Sequence, residues 1–218
     1  MGVREQFEQQ LIDVQQDLMR LADRSIAALE QAFEAFRTQH IDKALQVIEQ
    51  DAHINRLEEA IHDRVILLIA KQQPVATDLR RLMVIVKAAS DYERIGDYAV
   101  NIAKDAIRIQ EPFITSIEPI EQLHALTVSM LQNIAEAFLE ENMMKAQTLA
   151  QMDDEIDALY GSAMTTFMRI APIMPEHIGQ VTHLAFICRH LERCADHGTN
   201  IAEHLMYIVK GKHYELNN

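Results

Sequence analysis

The chain has 218 residues, with 33 Asp+Glu against 20 Lys+Arg, a formal charge of -13 and 49 % hydrophobic residues. That apolar content is enough for a buried core, so wholesale disorder is excluded. An acidic chain without a Lys/Arg stripe is also a poor grip for phosphate backbones, which argues against a nucleic-acid partner. From Phe7 to Arg37 the positions Val14, Leu18, Leu21, Ser25, Leu29, Phe33 and Phe36 recur in steps of three and four. This spacing predicts an amphipathic helix of about 30 residues. Thr38-Gln39-His40 interrupts it, and Asp42 is placed to cap a second helix that runs to about Lys71. Gln72-Gln73-Pro74 reads as a tight turn, because proline suits the start of a helix and not its interior. A third helix continues to about Gln110, and Pro112 to Pro119 is the best linker in the chain. The plan then recurs: helix four over about Ile120 to Glu141, helix five over about Met143 to Ala171, a turn at Pro172-Ile173-Met174-Pro175, and helix six from about Glu176 to Lys210.

Six long helices in this order read as three plus three, an all-α chain of two tandem three-helix bundles with boundaries at 1–112 and 113–218. The repeat is visible in the residues themselves. Glu93-Arg94-Ile95-Gly96-Asp97-Tyr98-Ala99-Val100-Asn101-Ile102-Ala103 aligns with Glu192-Arg193-Cys194-Ala195-Asp196-His197-Gly198-Thr199-Asn200-Ile201-Ala202, coinciding at six of eleven positions at a shift of 99. Duplication of one three-helix unit is the economical explanation. No apolar run approaches the ~20 residues needed to cross a bilayer. The first residues, from Met1 to Gln6, lack the apolar stretch of a signal peptide. Cys188 and Cys194 face largely different directions on one helix, and two reduced thiols favour the cytoplasm.

The candidate chemistry lies in carboxylates that follow the apolar stripes inward. Glu93 and Asp97 are an i,i+4 pair on one helix face, with Asn101 continuing the row. They extend the stripe Leu79, Leu82, Val86, Ala89. In helix six, Val181, Ala185 and Cys188 lead in the same way to Glu192 and Asp196, with Asn200 beyond. If helices two and three are antiparallel, Asp51 and Asn55, at 21 and 17 residues before Gln72, reach the height of Glu93 and Asp97, at 19 and 23 residues after Pro74. Asp153 and Asp157 stand in the same relation to Glu192 and Asp196. Like charges pointed inward are costly unless protonated, paired or bound to a cation. Two acidic rows meeting inside a bundle make an oxygen-rich cation site open to Fe, Zn, Mn or Mg. The alternative is pairing with Arg94 and Arg193 as salt bridges. Two Glu-x-x-His stretches, Glu59–His62 and Glu121–His124, are not at equivalent places of the repeat and read as surface histidines. His183, His190 and His197 read as a polar face of helix six. No Ser-His-Asp order, P-loop or dinucleotide-binding turn is present.

The stretches Gln73-Pro74-Val75-Ala76-Thr77-Asp78-Leu79-Arg80 and Ala89 to Ala103, with a second copy from Leu191 to Glu203, closely resemble the PhoU family across essentially the whole chain. The resemblance implies two three-helix bundles that bind metal through E/D-x-x-x-D motifs and self-associate as a homodimer. It implies a cytoplasmic negative regulator of the phosphate-starvation response, linking the ATPase of the phosphate importer to a membrane sensor histidine kinase at the inner face of the membrane. Carried over by position, Glu93/Asp97 and Glu192/Asp196 match E-x-x-x-D, and Asp153/Asp157 match D-x-x-x-D. Asp51/Asn55 departs from the motif, since Asn ligates through a carbonyl and brings no charge. On that basis the first site is expected to be the weaker one. The rival reading is a di-metal carboxylate enzyme or metal store, which would need paired Glu-x-x-His motifs.

Overall fold

The computed structural model describes residues 3–109 and 111–212. Six helices make up nearly all of it: α1 (Val3–Arg37), α2 (Ile41–Gln72), α3 (Thr77–Arg108), α4 (Glu118–Leu139), α5 (Met143–Ile170) and α6 (Ile178–Lys210). No strand occurs among the described residues. Gln110, the expected end of helix three, lies outside them, as do Met1, Gly2 and residues 213–218.

The helix ends differ from expectation where local chemistry intervenes. His40, not Asp42, caps α2, with its Nδ1 accepting the Lys43 N–H at 3.4 Å. Asp42 sits in the first turn, where its charge meets the positive end of the helix. Helix α3 begins at Thr77 rather than at Pro74, because α2 is closed by Gln73 in the left-handed conformation, its N–H donating to the Ile69 carbonyl at 3.0 Å. The chain then turns through Ala76 at φ 47°, ψ -110°, a conformation that suits glycine and costs an L-residue ~1–3 kcal/mol. Asn142 caps α5 by accepting the N–H groups of Met144 and Lys145 at 3.1 and 3.3 Å. A 3-10 turn at Pro175–His177 precedes α6 and delays its start to Ile178.

Every residue of the predicted α1 stripe is buried, Ser25 included. Helix α1 packs on α2 and α3, and α4 and α5 both pack on α6, which gives the two bundles; α3 then packs broadly along α6 and joins them. At ~1.5–3 kcal/mol for each large apolar side chain buried, these stripes dominate the stability. Helix α2 runs antiparallel to α3, as shown by His62 on the Val86 carbonyl and Ser90 on Glu58. Gly96 permits the close approach, since a Cβ there would stand 3.0 Å from Ile54 Cδ1. Gly198, which aligns with Ala99 in the repeat, allows α6 a similar approach to α4, where a Cβ would meet Ile134 Cδ1 at 2.8 Å.

The histidines of α6 are not a solvated face. Helices α3 and α6 are antiparallel and interlock through a ladder of buried acids and imidazoles. Asp105, 4 % exposed, accepts from His183 Nδ1 at 2.9 Å and pairs with His190 Nε2 at 3.3 Å. Fourteen residues earlier, about four turns away, Asp91 accepts from His197 Nδ1 at 2.8 Å and pairs with His204 Nε2 at 3.3 Å. Tyr98 lies between the two rungs, its ring 5.7 and 5.8 Å from those of His190 and His197. Burial would raise the Asp91 carboxyl, yet the hydrogen bonds of His197 and His204 hold it below the usual carboxylate range.

The other expected surface histidines are also drawn inward. His124 stacks on Phe33 of α1 at 3.9 Å between ring centroids, and burial pushes its imidazole down to about 4. His62 pairs with Glu58, not with Glu59. Both cysteines are buried free thiols, Cys188 pushed up to about 12 and Cys194 also raised by burial. Neither has the thiolate character of a reactive cysteine.

Candidate functional site

The antiparallel packing of α2 and α3 brings the first pair of acid rows face to face. Asp51 Oδ2 accepts from Asn55 Nδ2 at 3.3 Å, and across the seam Asp97 acts on Asp51 and Asp51 on Glu93. Burial raises the Asp51 carboxyl and the neighbouring Asp97 raises it further. Glu93 is likewise raised, first by burial and then by Asp97, with Glu58 and Asp51 adding to it. A cavity of about 130 Å³ lined by Arg24, Gln31, Gln50, Asp51 and Gly96 opens beside this seam.

The α5–α6 seam repeats the arrangement. Asp153, 3 % exposed, accepts from Thr199 Oγ1 at 3.1 Å. Burial raises Asp157, with Asp153 and Asp196 adding to it. Glu192 and Asp196 are both raised, chiefly by burial, with Asp196 acting on the first and Asp153 on the second. The asparagines that extend the rows part company: Asn101 stays on α3 half-buried, while the Asn200 amide reaches Asp91 at 3.5 Å.

Arginine pairing is present too, but along the helix. Arg94 reaches Asp97 at 2.9 Å and Glu93 at 3.7 Å, and Arg193 reaches Asp196 at 3.1 Å and Glu192 at 3.8 Å. Both guanidiniums are well exposed, so they neutralise the outer edge of each row and leave the inner oxygens bare. Asp51 Oδ1, Asn55 Oδ1 and Glu192 Oε2 are buried with no hydrogen-bond partner. A buried polar oxygen without a donor costs ~1–3 kcal/mol; Arg193 Nε stands 3.8 Å from Glu192 Oε2, so Asp51 Oδ1 and the Asn55 amide oxygen of the first seam are the ones left without a partner.

Among the described residues no three His, Cys, Asp or Glu side chains already converge closely enough to hold one ion. The donor set nonetheless fits a hard or borderline cation: an amide carbonyl and carboxylates, of which Asp51, Glu93, Asp157, Glu192 and Asp196 are raised first by burial and then by neighbouring acids. Residues missed from sequence are Thr199, Glu58 and the ladder acids Asp91 and Asp105. The two Glu-x-x-His stretches do not face each other, since His62 turns to α3 and His124 to α1. No helix among the described residues is long and apolar enough to cross a membrane.

The family model described as "PhoU domain" matches twice, over residues 18–106 and 120–205. The phosphate-specific transport system accessory protein PhoU homolog of Clostridium acetobutylicum is 33 % identical over 217 residues, covering 99 % of both chains. The phosphate-specific transport system accessory protein PhoU of Escherichia coli is 32 % identical, covering 96 % of this chain and 87 % of its own. Two crystal structures match at 30 % identity: PhoU from Pseudomonas aeruginosa, with a TM-score of 0.91 over 94 % of this chain and 100 % of that one, and the phosphate transport system regulatory protein PhoU from Streptococcus pneumoniae, at 0.89 over 95 % and 99 %. These relatives are named as accessory or regulatory proteins of transport, not as enzymes.

Proposed function

The chain belongs to the PhoU family, and from that premise we propose that it is an accessory protein of phosphate-specific transport that restrains uptake and starvation signalling by protein contact rather than catalysis. The observation that carries this reading is the match of the whole chain, both repeats included, to relatives named for that role. It acts as an adaptor between the importer ATPase and a sensor histidine kinase, works as a homodimer, and sits in the cytoplasm against the membrane through its partners.

Metal binding is part of the proposal. The first site comprises Asp51, Asn55, Glu93, Asp97 and Asn101, and the second Asp153, Asp157, Glu192, Asp196 and Asn200. The chemistry that Fe, Zn, Mn or Mg would supply there is charge neutralisation and cross-linking of two helices. The protein's own residues do the rest: the carboxylates turn inward, and Arg94 and Arg193 balance their outer oxygens. The buried Asp51 and Asn55 oxygens without partners support this reading.

The test is affinity capture of the tagged chain from its native host grown in abundant phosphate. Recovery of the importer ATPase or the sensor kinase, lost on competition with untagged protein, is the expected result. Recovery of neither, with both detected in the lysate, contradicts the adaptor role.

A further inference from the structure

The α3–α6 join carries two rows of side chains on each helix. Asp91, Tyr98 and Asp105 of α3 recur every seven residues, as do His183, His190, His197 and His204 of α6. Beside them, at steps of three and four, run Ala88, Ile95 and Ile102 of α3, with Ile109 at its end, and Ile187, Cys194, Ile201 and Ile208 of α6; all are buried. This is the spacing of a coiled-coil seam, with one row apolar and the other polar.

Helices α3 and α6 are the same helix of a duplicated unit, so their rows can be compared at the shift of 99 that aligns Glu93 with Glu192. The apolar row is apolar in both: Ala88 falls on Ile187, Ile95 on Cys194, Ile102 on Ile201 and Ile109 on Ile208. Alone, it would let α3 of one copy pair with α3 of another as readily as with α6, and such misassembly is a characteristic failure of repeated domains. The polar row differs throughout. Val84, Asp91, Tyr98 and Asp105 stand where α6 has four histidines. In the observed register each acid meets two imidazoles. In the equivalent antiparallel register, two α3 helices would set Asp91 of one copy on Asp105 of the other, burying carboxylate against carboxylate. Two α6 helices would face imidazole with imidazole and offer no carboxylate to accept their N–H groups. Both like-with-like pairings carry a penalty that the α3–α6 join escapes.

We propose that the acid–imidazole row is a recognition code, which restricts the exposed α3 face of the first bundle to the α6 face of the second and keeps a like bundle of another copy from docking there. The partner that α3 accepts is a helix presenting hydrogen-bond donors every seven residues beside an apolar row. Affinity comes from the apolar row, and the choice of partner comes from the polar one.

The experiment is oxidative refolding of the full chain from urea, read as covalent dimer on non-reducing gels. The chain carries Cys188→Ala and Cys194→Ala, and Tyr98→Cys as its single thiol. Position 98 is the centre of the α3–α3 register, so this thiol meets its counterpart only in that pairing. Circular dichroism melts confirm that each variant folds. With the native acids the chain is expected to stay free of covalent dimer. Asp91→Asn with Asp105→Asn is expected to raise the dimer about tenfold or more, since like charges set face to face across an interface are strongly unfavourable and their removal lifts that barrier. Adding His190→Asp and His204→Asp to Asp91→His and Asp105→His restores the pairs 105–190 and 91–204 with their chemistry exchanged, and is expected to return the dimer to the native level. Lys104→Cys in place of Tyr98→Cys lies off this register and is expected to give no dimer with either row. A folded asparagine variant with no more dimer than the native row overturns the code. So does abundant dimer with the native acids, an exchanged row that cross-links as much as the asparagine row, or equal cross-linking from position 104.

Discussion

Replacing Asp105 by alanine is expected to lower the unfolding free energy by about 3 kcal/mol, because removing one partner of a buried, hydrogen-bonded group leaves the others unsatisfied. His183 and His190 both point at this carboxylate, and Arg108 stands 3.7 Å away. Asp105 thus orients two imidazoles at the join between the bundles. For a chain of this size the loss corresponds to a fall of ~6–12 °C in melting temperature. Glu8→Ala, which breaks the exposed Arg4–Glu8 pair, is the control and is expected to cost less than ~1 kcal/mol. Thermal melts of the two variants side by side check the claim. Equal, small effects would mean that the ladder does not hold α3 to α6.

The pH dependence of the metal-free chain is expected to run against the usual acid-destabilisation of proteins. Asp51, Glu93, Asp157, Glu192 and Asp196 are all raised, burial being the first cause in each. A raised carboxyl contributes stability that is fully present below its unfolded pKa and is lost as pH rises through the folded one. Melting temperature in chelator should therefore rise as pH is lowered from neutrality toward the upper edge of the carboxylate range. Asp91 has the opposite sign: its folded pKa is depressed, so its contribution is present above the ordinary carboxylate range and lost as pH falls below it. The profile should thus pass through a maximum in mild acid. Saturating metal at neutral pH should flatten the rising limb. At one hundred times its dissociation constant it should add ~2.7 kcal/mol, or ~5–10 °C. A melting temperature that falls steadily on acidification from neutrality would mean that Arg94 and Arg193 already satisfy the rows.

What was legible in the sequence was whatever a single helix records. The α1 stripe, the three-plus-three order and the height match of Asp51/Asn55 with Glu93/Asp97 all follow from a period of 3.6 residues and a rise of about 1.5 Å per residue. Contacts between helices that no short turn joins were hidden. His183, His190 and His197, spaced by seven on α6, looked like a polar face, and His204 went unnoticed, because their partners Asp91 and Asp105 lie on α3 in the other repeat. The signal was present in the matching spacing of those two acids, fourteen apart, but it becomes meaningful only once α3 and α6 are known to pack antiparallel. Glu58 was masked by its neighbour Glu59, which completes the Glu-x-x-His pattern while Glu58 makes the contact with His62. Caps were misread for a smaller reason: His40 and Gln73 do what Asp and Gly usually do, and the helix ends moved with them.

The most direct test of the acid seams is the metal content of the chain purified from its native host without chelator, measured by elemental mass spectrometry beside a Glu93→Ala/Asp97→Ala variant and a Glu192→Ala/Asp196→Ala variant. The expected result is at least one tightly held ion per wild-type chain, with bound metal and melting temperature reduced in both variants. A wild-type chain that carries no stoichiometric metal, and melts at the same temperature with and without added divalent ions, would contradict it and leave the buried carboxylates as a purely structural feature.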